Sequence, residues 1–503
     1  MLHTAYNRLQ ATLVGNSRWA AVLATVGVAT AVGVVAGAWI GLLNAPLALA
    51  SMIALVGSLL MLRSTQVSLV VLIAIICLLP FAALPLNIGF EPSFLDGALA
   101  VLFFVWLARV ISGEQEEFIS SPLTLPVLVF LGLAIIAFIA GLGHSTPTPN
   151  TLRRFGEVVI AISLVFAVTN CVRTRRQLEQ IVAALMVCGF GTAAAGVFFY
   201  VIPQAWTIRL LSALSIVRYP SGSTILRLIN DDPERPMRAI GTSVDPNILG
   251  ALLILVTALL VPQLFSPRPI LRRIFVIPML GVMGLCMILT FSRGSLAGLF
   301  TALVLLAAVK YRRLLPMLVI VALLILYLPQ TQGYVSHFVS GIQGQDRATQ
   351  MRFGEYKDAL ILISRYPWIG VGFADAPDID LYIGVSSRYL LIAEQIGLIG
   401  LFFFLVIIVT LFVTTWLARR QTRGDGGLDA ILLGFQIALA GALVGGIFDH
   451  YLFNLNFPHM SSLFWLYVSL GIVAARLLRK ENERAGAPSA ARDPLPPTAS
   501  GCS

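Results

Sequence analysis

The sequence predicts an all-α bundle of membrane-spanning helices, about fourteen of them with a range of 12–14. Three observations predict it. Of 503 residues, 58% are hydrophobic and only 12% charged, with a mean hydropathy of +0.89, whereas a soluble chain carries roughly 25% charged residues. The apolar residues fall in long continuous runs, where a membrane barrel would need alternation. Lys and Arg gather on every second connection between those runs, as they do on the cytoplasmic loops of a polytopic protein. A chain of this length could hold about three soluble domains, but this composition excludes them. The formal charge of +10 and the pI near 9.7 are accounted for by the loops, and no nucleic-acid partner is expected.

The first run, about Trp19 to Leu43, follows Arg8 and Arg18. A signal-peptide core is only about 7–15 residues, so this longer run reads as a retained first helix. The others are 46–62, 68–84, 94–111, 123–142, 157–171, 178–202, 247–263, 272–290, 294–309, 314–328, 388–415, 429–449 and 460–478. Gly33, Gly37 and Gly41 in the first run, and Gly441 and Gly445 in the thirteenth, recur every fourth residue, which marks close helix contacts. The chain divides into N-terminal spans (1–202), a first long connection (203–246), central spans (247–328), a second long connection (329–387), C-terminal spans (388–478) and a tail (479–503). The Pro-, Ala- and Arg-rich tail reads as disordered.

With the N-terminus in the cytoplasm, 21 of the 34 basic residues fall on inside segments, and both termini are cytoplasmic. The two long connections then lie outside, and long loops that are not linkers usually carry function. Most of their arginines read as solvated ion pairs. Arg is simply the habitual cation of a chain with only three Lys. The five Cys show no pairing within one exposed loop, so neither disulfides nor a metal cage is expected.

Arg293 is different. It lies in Thr290-Phe291-Ser292-Arg293-Gly294-Ser295, and only 36 residues separate the flanking inside charges Arg273 and Lys310. Two crossings need about 40, so this hairpin tip stops short of the outer surface. A cation there needs an anion or a wet cavity. The first long connection ends Arg238-Ala-Ile-Gly241-Thr242-Ser-Val-Asp245-Pro246-Asn247. Asp245 is a good N-cap and Pro246 suits the first helical position, which explains these two residues but not Arg238. In the second connection, Phe353, Tyr356, Leu360 and Ile363 share one helical face beside Arg352, as in an amphipathic helix on the outer leaflet. Pro367 to Gly372 then forms a turn. Asp378-Ile379-Asp380 imitates an Asp-x-Asp motif but is too short to weigh. The next span opens Ser386-Ser387-Arg388-Tyr389-Leu390 and holds Glu394, Gly397 and Gly400. No phosphate-cradling nucleotide loop occurs, so ATP-driven transport is not indicated.

Taken in order, these pieces resemble the O-antigen ligase/polymerase superfamily of bacterial envelopes. Gly241-Thr242 through Pro246-Asn247, Ser292-Arg293-Gly294, Arg352 through Pro367-x-x-Gly370-x-Gly372, and Tyr389-Leu390 with Glu394, Gly397 and Gly400 are similar to its blocks. The resemblance covers roughly residues 235–405. It implies a helical bundle with a periplasmic subdomain between late helices. It further implies a metal- and cofactor-independent glycosyltransferase at the periplasmic face of the bacterial inner membrane. The donor would be a glycan on undecaprenyl diphosphate, passed to another carrier-linked repeat unit by a polymerase or to lipid A-core by a ligase. Other expected partners are membrane lipid, a flippase and chain-length or export proteins. Arg293 and Arg238 match diphosphate-binding positions and are expected to be catalytic. Arg352, Ser292, Tyr389 and Asn247 are expected to contact substrate. The acceptor end departs from the pattern, because ligases carry His-Asn where this chain has Ser386-Ser387, and an unactivated Ser is a poor general base. Glu394 is the first candidate replacement, with Asp380, His337 and the Asp449-His450 pair behind it. The missing His favours an exopolysaccharide or O-antigen polymerase over a ligase. A lipid-linked sugar flippase or transporter, and a scaffold of an export complex, are the rival classes; the absence of internal repeats weighs against the former.

Overall fold

The computed structural model describes residues 30, 52, 56–84, 89–113, 117–143, 146–229, 232, 235–327, 332–344, 347–373, 385–420 and 426–486. By contacts the chain divides into Met1–Arg63 and Ser64–Ser503. In the first unit residues 56–63 are helical. The first two expected spans, with the Gly33–Gly41 repeat, lie almost wholly outside the described residues.

In the second unit the described elements are helical, apart from two isolated bridges, Ala83–Ser93 and Leu228–Met237. We number the helices α1 (Thr65–Leu78), α2 (Phe94–Ile111), α3 (Thr124–Gly141), α4 (Pro149–Cys171), α5 (Arg175–Val201), α6 (Gln204–Ala213), α7 (Pro246–Phe265) and α8 (Arg273–Leu289). There follow α9 (Arg293–Val309), α10 (Leu314–Tyr327), α11 (Gln332–Ile342), α12 (Arg347–Arg365), α13 (Arg388–Arg420), α14 (Gly426–Phe448) and α15 (Pro458–Gly486). Each expected apolar run from the third onward coincides with one of these helices. Among the described residues, seven helices are long and apolar enough to cross a membrane: α2, α3, α5, α7, α13, α14 and α15. The others are shorter or, like α4 with Arg153, Arg154 and Glu157, more polar. The helix α15 continues to Gly486, so the first residues assigned to the tail extend the last helix.

The helices start and stop where local chemistry dictates. Ser93 caps α2 and Thr174 caps α5 by reciprocal capping boxes. Thr148 caps α4 ahead of Pro149. The core runs along α7, which is apolar all round and buried along nearly its whole length, as a helix enclosed by others must be. Gly298 and Gly441 let α9 and α14 touch backbone to backbone. A Cβ on either would lie within 2.7 Å of the other's carbonyl oxygen. The small-residue repeat at Gly441 and Gly445 is therefore a packing device.

One membrane helix is interrupted. In α13, Gly397 takes φ +76° and ψ 177°, a conformation open to glycine. Such a break frees backbone groups that an apolar setting cannot leave unpaired. The turn after α12 takes them up. The amides of Val371, Gly372 and Leu398 donate to the carbonyls of Glu394, Gln395 and Pro367 at 2.8, 3.1 and 2.7 Å. Cβ atoms at Gly370 or Gly397 would overlap the opposing backbone. Two of the sequence blocks, Pro367–Gly372 and Glu394–Gly400, thus form one joint that anchors α12 to the bundle.

Candidate functional site

Four segments meet at one end of the bundle: the residues before α7, the α8–α9 turn, α12, and the end of α14 with the turn after it. Arg238 comes from the first. Its backbone amide donates to Arg227, and the next amide, of Ala239, donates to Leu289 at the end of α8. Its Nε donates to the Thr290 carbonyl at 2.8 Å and its Nη2 to Asn247 Oδ1 at 2.7 Å. Asp245 caps α7 through the amides of Asn247 and Ile248. Burial lowers the Arg238 pKa; Asp245 and Tyr451 oppose this, Arg352 adds to it, and Asp449 opposes it.

Arg293 opens α9. Its Nη2 donates to Thr349 Oγ1 of α12 at 3.5 Å, and its guanidinium lies against Gly341 of α11, where a Cβ would collide with it. Arg293 and Arg352 together line a cavity of about 440 Å³. Its remaining walls include Ala297, Phe353, Ile447 and Phe448. Two forked cations therefore face an otherwise mainly apolar chamber. Phe353 and Leu360 are exposed while Ala359 and Leu362 of the same helix are buried. Of the face that sequence periodicity marked as apolar, Phe353 and Leu360 are thus open while Tyr356 and Ile363 are half-buried, and Ala359 and Leu362 dock the helix. The start of α9 adds its own positive dipole end, which suits an anion.

Two strained residues border this site. Val244, just before the α7 cap, has φ +55°, and Phe291, just before Ser292-Arg293, has φ +50°. Neither side chain is at ease there, least of all a β-branched one, and such strain persists where surrounding structure enforces it.

The expected site residues separate into two groups. Arg293, Arg238, Arg352 and Asn247 come together, with Asn247 orienting Arg238. Ser292 does not face the cavity: it is buried, and its hydroxyl donates to Ser295 Oγ at 2.9 Å against Gly250 of α7. Tyr389 donates to the Leu443 carbonyl at 2.9 Å and ties α13 to α14. Glu394 belongs to the Gly397 joint. Its carbonyl accepts from Val371, and its Oε2 is buried without a hydrogen-bond partner among the described residues. Asp380 and the side chain of His337 lie outside the described residues. Ser386 is held through its backbone, by the Glu355 carboxylate at 2.9 Å and the Tyr356 hydroxyl at 3.1 Å.

Sequence reasoning under-weighted three residues. Asp449 sits one residue beyond the cavity wall, 15% exposed, its Oδ1 accepting the His450 amide at 2.9 Å. Burial pushes its carboxyl up to about 7; Arg352 opposes this, Asp245 adds to it, and the His450 amide and Arg238 oppose it. Burial, with Arg352, drops His450 to about 4, so the imidazole is neutral at neutral pH. Arg388 is 1% exposed, although it reads in sequence as a loop cation. Tyr451, half-buried on the same turn, interacts with Asn247. The only sequence signal for Arg388 is its place at the very start of an apolar run.

Compared with known families, residues 278–405 match the family described as O-antigen ligase. That stretch runs from α8 into α13 and holds Arg293, Arg352 and the Gly397 joint; Arg238 and Asp449 lie outside it. No curated protein matches the chain.

Proposed function

From a chain that carries an O-antigen ligase domain over residues 278–405, we propose a membrane glycosyltransferase that takes glycan repeat units from undecaprenyl diphosphate. Its favoured product is a longer carrier-linked glycan, as made by an exopolysaccharide or O-antigen polymerase; ligation to lipid A-core is the alternative. The observation that carries this reading is the chamber that pairs Arg293 and Arg352 with apolar walls. A lipid diphosphate has that same division, a dianionic head on a hydrocarbon tail. Arg forks bind phosphate oxygens bidentately.

Such a donor also assigns the chemistry. When the glycosyl bond breaks, negative charge grows on the leaving diphosphate. Preorganised cations in a water-poor setting stabilise that charge more than water would. Arg293 and Arg352 are placed to do this from the chamber wall. Arg238, fixed by Thr290 and Asn247, supports them from the α7 side. This stabilisation requires no metal. The helices α8 and α9 have 17 residues each, or about 25 Å, less than the roughly 30 Å hydrocarbon thickness. Their shared turn would hold Arg293 below the membrane surface, within reach of a lipid headgroup on the periplasmic side.

The test is a reconstituted assay with purified protein in liposomes and carrier-linked repeat units extracted from the producing cells, without ATP. Products are resolved by size. A ladder of longer carrier-linked glycans is the expected result. Transfer only after lipid A-core is added would make the chain a ligase. No transfer in either case would overturn the reading.

A further inference from the structure

A second, much smaller cavity of about 10 Å³ lies next to the arginine chamber, whose wall residues Gly294 and Phe448 directly precede Ser295 and Asp449 of the smaller one. It is lined by Ala251, Ser295, Arg388, Gly446, Asp449 and Tyr451 among others. Arg388 is the largest polar side chain fully buried in the described residues. Its Nη2 donates to the Ala442 carbonyl at 3.0 Å, and its guanidinium stacks on Phe464 at 4.8 Å. Its Nε and Nη1 have no hydrogen-bond partner among the described residues. A buried cation without a counter-charge is costly. Among the described residues on this cavity wall, Asp449 is the one acid.

Asp449 shares this cavity with Arg388 and directly follows Phe448 of the arginine-chamber wall. Arg352 of the donor chamber is the charge that acts on it most strongly, followed by Asp245 and Arg238. His450 and Tyr451 flank it on its own turn, and Tyr356 of α12 also lies within its field. No described group donates to its Oδ2. We infer that Asp449 is the base that takes the proton from the acceptor hydroxyl, and that Arg388, buried in the same cavity wall, is its positioning residue. The acceptor oxygen bonds to the anomeric carbon of the donor. The bond from that carbon to the diphosphate oxygen breaks, its electron pair leaving with the lipid diphosphate, and the hydroxyl proton passes to Asp449 Oδ2.

This assignment places the proton acceptor within the field of Arg352, which lies on the wall of the chamber proposed for the leaving group. It gives the chain a base despite Ser386-Ser387, neither of which carries one. His450 is the weaker choice, because an imidazole near 4 holds a proton poorly at neutral pH. Asp449 takes a proton only when ionised, so transfer should rise with pH through about 7. Asp449 and the buried Arg388 charge act on each other, so removal of that charge should move the rise to higher pH.

The inference rests on the donor reading above, and its test separates the two. Full-length protein in nanodiscs is assayed for transfer between extracted carrier-linked repeat units from pH 5 to 9, and separately for binding of undecaprenyl diphosphate. Asp449→Asn should bind the carrier like the wild type, lose transfer by ~10²–10⁴-fold, and lose the rise near pH 7. Arg388→Lys should keep that rise. Arg388→Gln, or Arg388→Met should the first fail to insert, should move it up by about one pH unit. Wild-type transfer by Asp449→Asn would overturn the base, and loss of carrier binding in that variant would make Asp449 a donor contact instead. An unmoved rise in both neutral variants would reduce Arg388 to a structural tie. No carrier binding by the wild type would overturn the donor reading and this inference with it.

Discussion

One helix carries a cation at each end, and the two ends of α9 treat them differently. Lys310 follows its C-terminus and closes on Asp429, which also accepts from Arg419 Nε at 2.7 Å. A cation at a helix C-terminus is already favoured by the dipole, and here a carboxylate completes the pairing. Arg293 stands at the opposite end, where the dipole opposes a cation. One of its hydrogen bonds goes to the Thr349 hydroxyl at 3.5 Å, and it shares a 440 Å³ chamber with a second arginine. The Lys310 end is a finished structural network. The Arg293 end concentrates positive charge where helix physics disfavours it, around a space large enough for a headgroup. The proposed anionic substrate would bind where these charges gather.

The largest effect should come from the Arg293 end. Arg293→Ala should lower transfer by ~10²–10³-fold while leaving the protein inserted and its thermal unfolding close to the wild type, both read on the same purified sample. Gly397→Ala should come next. It forces a Cβ into the Trp368 carbonyl at a left-handed φ, a cost of about 2 kcal/mol or more. A drop of several degrees in Tm, with α12 becoming more open to proteolysis, would record it; an unchanged Tm would mean the joint is looser than described. At the Lys310 end, Asp429→Asn should cost stability of about 1–3 kcal/mol by leaving Lys310 and Arg419 without their shared carboxylate. Transfer per folded molecule should stay near the wild-type rate. Selective loss of activity there would erase the contrast between the two ends. The smallest effect is expected from Ser386→Ala, because Ser386 is held through its amide and carbonyl. Transfer within about threefold of wild type is expected, and a dead variant would make the hydroxyl catalytic.

Much of this architecture was legible in the sequence because lipid imposes simple rules. Continuous apolar runs became helices, Asp245-Pro246 became the start of α7, and Gly441 and Gly445 became a close contact. Arg293 and Arg238 stood out in the sequence as charges that local structure did not explain, whereas Arg352 and Asn247 were chosen by motif position; the structure sets Asn247 against Arg238 and Arg352 beside Arg293. Ser292 and Tyr389 were chosen by motif position. Their side chains are committed to Ser295 and to the Leu443 carbonyl, partners that sequence spacing cannot reveal. Glu394 was the first candidate base by its place in the span that follows Ser386-Ser387, and its backbone belongs to the joint at Gly397. Arg388 and Asp449 were the hardest to weigh. They are 61 positions apart in the chain, and their meeting depends on how α13 packs against α14. The left-handed conformations at Val244 and Phe291 carry no local signal either, because neither residue is glycine or asparagine.

The most direct test of the contrast is binding of undecaprenyl diphosphate to purified protein in nanodiscs, with Arg293→Ala and Lys310→Ala compared on equal footing. The wild type and Lys310→Ala should bind alike, and Arg293→Ala should bind at least about tenfold more weakly, the loss of roughly one charge-assisted contact. Equal binding by Arg293→Ala, or equal loss in both variants, would contradict the assignment of the Arg293 chamber to a lipid diphosphate.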